Sequence, residues 1–172
     1  EDKKLVALIT GGEAHHKHNP LWTIVTNILP ANGGIGLELA RQLLAKTEPK
    51  WHILLGSRSI DKGQTAIKDL LSSNPPGTVE LVHLDVSDDT TITRAAQNAR
   101  ESHSTLDVLV NNAAIAYTGP RSRESMHASF DTNVVGPMRV AEAFAPLLAT
   151  STSPYGPRIV NISSRAGSIG RR

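Results

Sequence analysis

A glycine-rich segment in the first quarter of the chain has the residue types that hold phosphate groups. Gly33, Gly34 and Gly36 lie within four residues and directly precede an amphipathic pattern typical of a helix. The first turn of a helix carries unpaired N–H groups and partial positive charge, which bind phosphate well. Glycine has no Cβ, so the backbone can approach a pyrophosphate closely. A plain tight turn would look similar, and the surrounding elements decide between the two interpretations.

The strand that should lead into these glycines is separated from them. Residues 4–11 form a short apolar run that predicts a buried strand, but residues 12–30 intervene. The intervening block contains His15, His16 and His18. Imidazole is a common metal ligand, but this spacing matches neither a helical pair nor a zinc finger. We interpret the block as a solvated loop and predict no metal site.

Composition narrows the class of protein. The 172 residues suffice for one domain with a sizeable core, and 39% of them are hydrophobic, as in an ordinary globular protein. The net charge of +2 is too small to predict nucleic acid or a membrane surface as a partner. No apolar run reaches the length of a membrane span, and the chain has no cysteine for disulfides or thiolate metal sites. No signal peptide is visible, so we expect a cytoplasmic protein.

Strand and helix patterns alternate along the chain. Short apolar runs predict strands at residues 5–9, 51–55, 79–84, 107–110 and 158–162, and amphipathic patterns predict helices at residues 35–46, 61–73, 89–103 and 124–149. Such alternation forms right-handed βαβ units, which predicts an α/β fold with a doubly wound parallel sheet. We expect a Rossmann-like, five-stranded sheet in the order 3-2-1-4-5. Pro137 should bend the last helix or limit its first turns.

Polar or glycine-rich segments follow the predicted strands. They are residues 33–36, 57–58, 85–86, 111–114 and 163–164. Ligands of open parallel sheets bind beyond the carboxyl ends of the strands, where the strand order reverses. Each segment alone could be an ordinary turn, but five of them at one rim predict a shared site.

With these motifs in place, the chain resembles the short-chain dehydrogenase/reductase family everywhere except in residues 12–30. Without that block, Thr10-Gly11 continues into Ala31-Asn32-Gly33-Gly34-Ile35-Gly36, which fits the family's cofactor loop. Asn111-Asn112-Ala113-Ala114 is similar to its Asn-Asn-Ala-Gly motif, with Ala114 in place of the usual glycine, and Asp85-Val86 resembles its adenine-contacting pair. The resemblance implies a dinucleotide site formed by Thr10, Gly11, Asn32, Gly34, Ile35, Gly36, Ser57, Arg58, Asp85, Val86, Asn112, Ala113 and Ala114.

The resemblance also implies two catalytic residues. Asn133 matches the asparagine of the family's catalytic tetrad, which helps to hold a water in the proton relay. Ser164, in a segment similar to the one that carries the catalytic serine, would hydrogen-bond the substrate oxygen. In the family, a Tyr-x-x-x-Lys pair supplies the proton. The 172 residues contain no such pair, since neither Tyr117 nor Tyr155 has a lysine four residues on.

The end of the second predicted strand informs the choice of cofactor. An acidic residue there would bond the ribose 2′-hydroxyl of NAD and repel a 2′-phosphate. This chain has Ser57 and Arg58 instead. A guanidinium can pair in two-pronged fashion with phosphate, so we favour NADP(H) over NAD(H). An exposed loop charge is the other interpretation of Arg58.

Two departures from the family pattern qualify these expectations. We hypothesise that residues 12–30 are a translated intron, because their removal restores the cofactor loop and their codons can accommodate splice-like sequences. A real insertion that closes over the cofactor is the rival hypothesis.

The predicted helix 124–149 has no later family segments to pack against, so its apolar face should be partly exposed and favour a homo-oligomer. This face consists of Val134, Val140, Phe144, Leu147 and Leu148.

The sequence therefore predicts an NAD(P)(H)-dependent oxidoreductase acting on a small-molecule carbonyl or alcohol, with residues 1–172 as one domain. Without the tyrosine–lysine pair, this chain should show little or no turnover. Two alternatives stay open: a non-catalytic nucleotide-binding or interaction module, and a non-functional translation product.

Overall fold

The computed structural model describes residues 5–10, of which only the backbone is described, and 34–48, 50–116, 120, 122–151, 153–164 and 170. Strands and helices alternate through these residues. They are β1 (Leu5–Thr10), α1 (Ile35–Leu44), β2 (Trp51–Ser57), α2 (Ile60–Leu71), β3 (Thr78–His83), α3 (Asp89–Ser102), β4 (Val108–Asn111), α4 (Arg123–Phe130), a π-helical turn (Asp131–Val135), α5 (Gly136–Leu148) and β5 (Arg158–Asn161).

The sheet confirms the predicted topology. The described strands form one parallel sheet in the order β3-β2-β1-β4-β5. The chain runs outward from β1 to β3 and then returns to the other side of β1 at β4. The reversal of strand order therefore lies between β1 and β4, where open α/β sheets bind ligands.

Alternate residues of β2 face two separate apolar layers. Ile53 and Leu55 pack with buried residues of α1 and α2, whereas Leu54 packs with those of α3 and α5. All three side chains are fully buried. A strand buried on both faces reads as a continuous apolar run, which explains why the pattern predicted the strand but not the layer of each residue.

The prediction of one helix over residues 124–149 is wrong in detail. The π-helical turn Asp131–Val135 separates α4 from α5, and Pro137 lies in the first turn of α5. Proline has no N–H and its ring clashes with the preceding turn inside a helix, but it is tolerated in a first turn such as that of α5. Pro137 was expected to bend or limit the helix, and the regular α-helix is indeed interrupted directly before it, by the wider π-helical turn.

The expected exposure of the apolar helix face is also wrong for four of its five residues. Val140, Phe144, Leu147 and Leu148 are buried in the layer formed with α3 and β4, and only Val134 is exposed. The exposed apolar stripe lies on another face, with residues spaced four apart: Met126, Phe130, Val134 and Met138. No helix of the described ranges is both long and apolar enough to cross a membrane.

Candidate functional site

The carboxyl ends of the strands lie along one edge of the sheet. Thr10 pairs with Gly56, and Gly56 pairs with Val82, so β1, β2 and β3 end together. On the other side of β1, Asn111 pairs with Asn161 at the ends of β4 and β5. The segments that the sequence predicted to share a site therefore follow the same edge wherever the structure describes them.

The N-terminus of α1 is the candidate phosphate-binding element. Gly34 is its N-cap, in an extended conformation and with no capping bond from a side chain. Ile35 is exposed and Gly36 is buried. An uncapped first turn leaves backbone N–H groups that can bind an anion. Gly11 and Asn32 lie outside the described residues, and for Thr10 only the backbone at the end of β1 is described.

The end of β2 carries one structural residue and one exposed charge. The buried Ser57 hydroxyl donates to the Ser59 carbonyl oxygen at 2.8 Å and accepts from the Ser59 N–H at 3.3 Å. Ser57 thereby fixes the turn into α2 rather than presenting its hydroxyl to the edge. Arg58 is exposed at this turn, where its guanidinium can reach an anionic ligand.

The segment after β3 is held rigidly. Asp85 Oδ1 accepts from the Ser87 N–H at 3.0 Å and from the Ser87 hydroxyl at 2.7 Å. The Asp85 N–H donates to Thr91 Oγ1 at 2.9 Å, and this hydroxyl lies 2.9 Å from the Asp85 carbonyl oxygen. Val86 is buried beneath Gly136, the first residue of α5.

An exposed ion pair joins α3, the helix after this segment, to α5. Arg139 contacts the Asp89 carboxylate through Nε at 3.0 Å and Nη2 at 3.1 Å, and its Nη1 contacts Glu142. The hydrogen bonds from Arg139 lower the pKa of Asp89 below its ordinary value, and those to Asp89 and Glu142 raise the pKa of Arg139.

An asparagine pair closes the edge between β4 and β5. Asn111 Nδ2 donates to Asn161 Oδ1 at 2.9 Å, and the two residues are register partners. Neither side chain was among the predicted site residues. Their positions at the ends of the fourth and fifth predicted strands were the available signal, because adjacent strand ends place amides side by side. Beyond Asn111, the residues Asn112 and Ala113 are buried and Ala114 is exposed.

Asn133 binds the loop after β4 through both ends of its amide. Its Oδ1 accepts from the Ile115 N–H at 2.8 Å, and its Nδ2 donates to the Ile115 carbonyl oxygen at 2.9 Å. The structure thus brings Asn133 to the loop that follows Ala114. The side chain therefore positions this loop.

The backbone carbonyl of Asn133 lies in an unusual environment. In a regular helix it would accept the N–H of the residue four positions on, but that residue is Pro137, which has no N–H. Asn133 also lies within the π-helical turn. Single π turns inside α-helices occur frequently at functional sites.

Replacing Asn133 with alanine should lower the free energy of unfolding by about 1–2 kcal/mol, because two hydrogen bonds to the backbone are lost. Urea unfolding measures the change, and amide hydrogen exchange at Ile115 should accelerate. Asn98→Ala, at an exposed position on α3, is the matched control. Equal stability of the two variants would contradict the positioning role.

Ser164 follows β5 at the same edge and is exposed, as is Ser163. The Ile162 N–H donates to the Asn111 carbonyl oxygen at 2.8 Å, which extends the pairing of β5 with β4 towards these serines. The edge as a whole fits a dinucleotide: an uncapped helix start lies beside β1, and an arginine is exposed where β2 ends.

Comparisons with known proteins agree with this geometry. Residues 24–172 match the family model described as short chain dehydrogenase. A short-chain dehydrogenase/reductase of a Phoma species is 36% identical over 154 residues, covering 84% of this chain and 55% of the relative. The (+)-neomenthol dehydrogenase of Arabidopsis thaliana is 32% identical, with 89% of this chain and 56% of the relative covered.

The structural comparison gives the same result. An NADPH-bound carbonyl reductase from chicken fatty liver superposes with a TM-score of 0.74 and 30% identity, covering 99% of this chain and 61% of that protein. This chain thus spans little more than half the length of the curated relatives it matches.

Proposed function

The chain belongs to the short-chain dehydrogenase/reductase family, and we propose that it binds NADP(H) at the carboxyl edge of its sheet. The observation that carries this proposal is the N-terminus of α1, which has no side-chain cap, in a fold whose strand order reverses between β1 and β4. We propose that the parent activity is oxidoreduction of a small-molecule carbonyl/alcohol pair. The cytoplasm remains the proposed location.

When bound, the nicotinamide would donate or accept the hydride. The residues of this chain would do the rest. Ser164, exposed beyond β5, would donate a hydrogen bond to the substrate oxygen and stabilise its developing charge. Asn133 would hold the loop after β4 in place and help to hold a water in the proton relay.

The step that these 172 residues leave unassigned is the proton transfer. They contain no tyrosine with a lysine four residues on, and this pair is the family's proton donor. We propose that the chain, as printed, binds cofactor but turns over little substrate. A non-catalytic binding module is therefore the second candidate, favoured by an Asn133 side chain that hydrogen-bonds the Ile115 backbone.

Residues 12–30 fall inside the proposed phosphate loop and lie outside the described residues. We propose that they are a retained intron, with a flap over the cofactor as the rival. Sequencing the mature transcript across the codons for residues 10–36 distinguishes the two. A transcript that joins Gly11 directly to Ala31 supports the intron, and a transcript that retains the block supports the flap.

Arg58 is proposed to select NADP(H). Arg58→Ala should weaken NADPH binding about 10–100-fold and leave NADH binding nearly unchanged, because only NADPH carries a 2′-phosphate. Isothermal titration of the purified chain with both dinucleotides measures this. Arg100→Ala, an exposed arginine on α3, is the matched control.

The outcomes of this titration separate the candidates. NADPH binding without turnover supports the proposed site and favours the binding module for this chain. Binding of neither dinucleotide to the folded chain contradicts the site. An equal loss of NADPH and NADH affinity in Arg58→Ala contradicts the assignment of Arg58 to the 2′-phosphate.

A further inference from the structure

Three metal-ligating side chains meet at the edge of the sheet opposite the dinucleotide site. His52 is the second residue of β2, Glu80 is the third residue of β3, and His103 directly follows α3. His52 and Glu80 lie in the amino-terminal halves of their strands, so this His52–Glu80–His103 cluster is separate from the residues of the carboxyl edge. Their donor atoms all lie within 4.8 Å of one another.

The distances within the cluster suit a metal ion. His103 Nε2 forms a hydrogen bond with Glu80 Oε1 at 2.8 Å, which a metal ion would replace, and His52 Nε2 lies 3.9 Å from Glu80 Oε2. The two imidazole rings have centroids 5.0 Å apart and are tilted by 40°, so they converge without stacking. Tetrahedral zinc with bonds near 2.1 Å needs donors about 3.4 Å apart, a value between the two observed separations.

A hydrogen bond at Nδ1 fixes the orientation of the His52 ring. Its Nδ1 lies 2.7 Å from the Thr78 hydroxyl oxygen, and Thr78 is its register partner on β3. When Nδ1 donates to this hydroxyl, the Nε2 lone pair faces Glu80. Metal-bound histidines almost always use the second ring nitrogen in this way, which fixes the tautomer and the ring plane.

Burial also favours a preformed site. The side chains of His52 and His103 are only 19% and 16% exposed, whereas Glu80 is 46% exposed. The two rings are therefore held by packing, and the carboxylate side opens to solvent. An ion could enter from this side and keep a water as its fourth ligand.

We propose that His52, Glu80 and His103 bind one divalent transition-metal ion, for which Zn²⁺ is the best match. Two imidazoles and a carboxylate are a zinc ligand set, whereas magnesium and calcium prefer oxygen ligands alone. The ion would clamp the end of α3 to β2 and β3, so it would stabilise the fold. This proposal does not depend on the proposed cofactor site.

The test uses the full untagged chain in which His15, His16 and His18 are replaced by glutamine, because these residues could also bind metal. Thermal unfolding is compared in EDTA and in Zn²⁺, and Co²⁺ is titrated while its visible absorption is recorded. The variants His52→Gln, Glu80→Gln and His103→Gln are compared with His83→Gln, at the other end of β3.

We expect a Zn²⁺ excess of a hundredfold over Kd to raise Tm by roughly 5–10 °C in the parent and in His83→Gln. The three cluster variants should bind Co²⁺ at least about tenfold more weakly and lose most of the Tm shift. The Tm shift is the difference between the Tm of a variant in Zn²⁺ and the Tm of the same variant in EDTA. A variant that is merely less stable therefore keeps its shift. A parent without a Zn²⁺ shift overturns the proposal, as does unchanged metal binding in His52→Gln or His103→Gln.

Discussion

Replacing Phe144 with alanine is expected to lower the free energy of unfolding by about 3–5 kcal/mol. Phe144 is completely buried on α5, in the apolar layer that α5 forms with α3 and β4. Removing the ring leaves a cavity that rigid neighbours can fill only in part, so the lost transfer energy and the cavity both contribute. Domains of this kind are stable by only about 5–15 kcal/mol, so the loss is a large fraction of the total.

Urea unfolding followed by circular dichroism measures this effect. The chain offers an internal control, because its only other phenylalanine, Phe130, is 64% exposed on α4. Phe130→Ala should change the free energy of unfolding by no more than about 0.5 kcal/mol. If the two variants lost similar stability, the placement of α5 against α3 and β4 would be wrong.

The second large effect is expected for Gly136→Ala. An alanine Cβ at this position would lie 2.6 Å from the Val86 carbonyl oxygen and 3.0 Å from the Val86 Cβ. The obstacle includes backbone, which cannot rotate away, so we expect a loss of about 1–3 kcal/mol. Because Val86 belongs to the proposed adenine-contacting segment, NADPH binding should weaken at the same time.

Gly63→Ala is the matched comparison for this variant, since both glycines are helical. At Gly63 the nearest obstacle is a terminal methyl group of Leu81, which can move by side-chain rotation, and the Ser57 Cβ at 3.1 Å needs only a small shift. Alanine is also favoured over glycine in a helix, by about 1 kcal/mol, so Gly63→Ala should be the less destabilised variant. Thermal melts and NADPH titration of both proteins check the pair. Stability at or above that of the parent in Gly136→Ala would contradict the close approach of α5 to Val86.

The topology was accessible from the sequence because periodicity and chain order constrain a parallel sheet strongly. Apolar runs bounded by Asp, Asn, Gly and Ser fixed the strands, and the right-handed crossover rule left few arrangements. The order β3-β2-β1-β4-β5 followed and is confirmed.

Helix breaks and burial were less accessible. The apolar pattern over residues 124–149 is typical of one continuous helix. No local sequence signal predicts that the helix widens to a π-helical turn before Pro137. Likewise, the apolar residues of α4 and α5 form two faces, and only the tertiary contact with α3 decides which one is buried. The expectation of exposure assigned Phe144 to the wrong class for this reason.

The sequence predicted which segments follow the strands at the carboxyl edge, but not which hydrogen bonds their side chains make. Ser57 is the last residue of β2 and Asn133 contacts the loop after β4, and both direct their hydrogen bonds to backbone. Residue type alone cannot distinguish a side chain that contacts a ligand from one that holds a loop in place by hydrogen bonds. The Asn111–Asn161 pair was missed because its members are 50 residues apart and meet through strand register. The His52–Glu80–His103 cluster was missed because β2, β3 and the end of α3 bring its members together only in the folded chain.

The place of β1 in the sheet has a consequence for how the chain is made. β1 pairs with both β2 and β4, yet Val108, the first residue of β4, lies about a hundred residues after β1. At ordinary rates of translation, roughly 5–20 s pass between the synthesis of these two partners. During this interval the apolar strand Leu5–Thr10 on the nascent chain has no complete sheet to join. Because β5 in turn pairs with β4, the five-stranded sheet is complete only after β5 has also been synthesised.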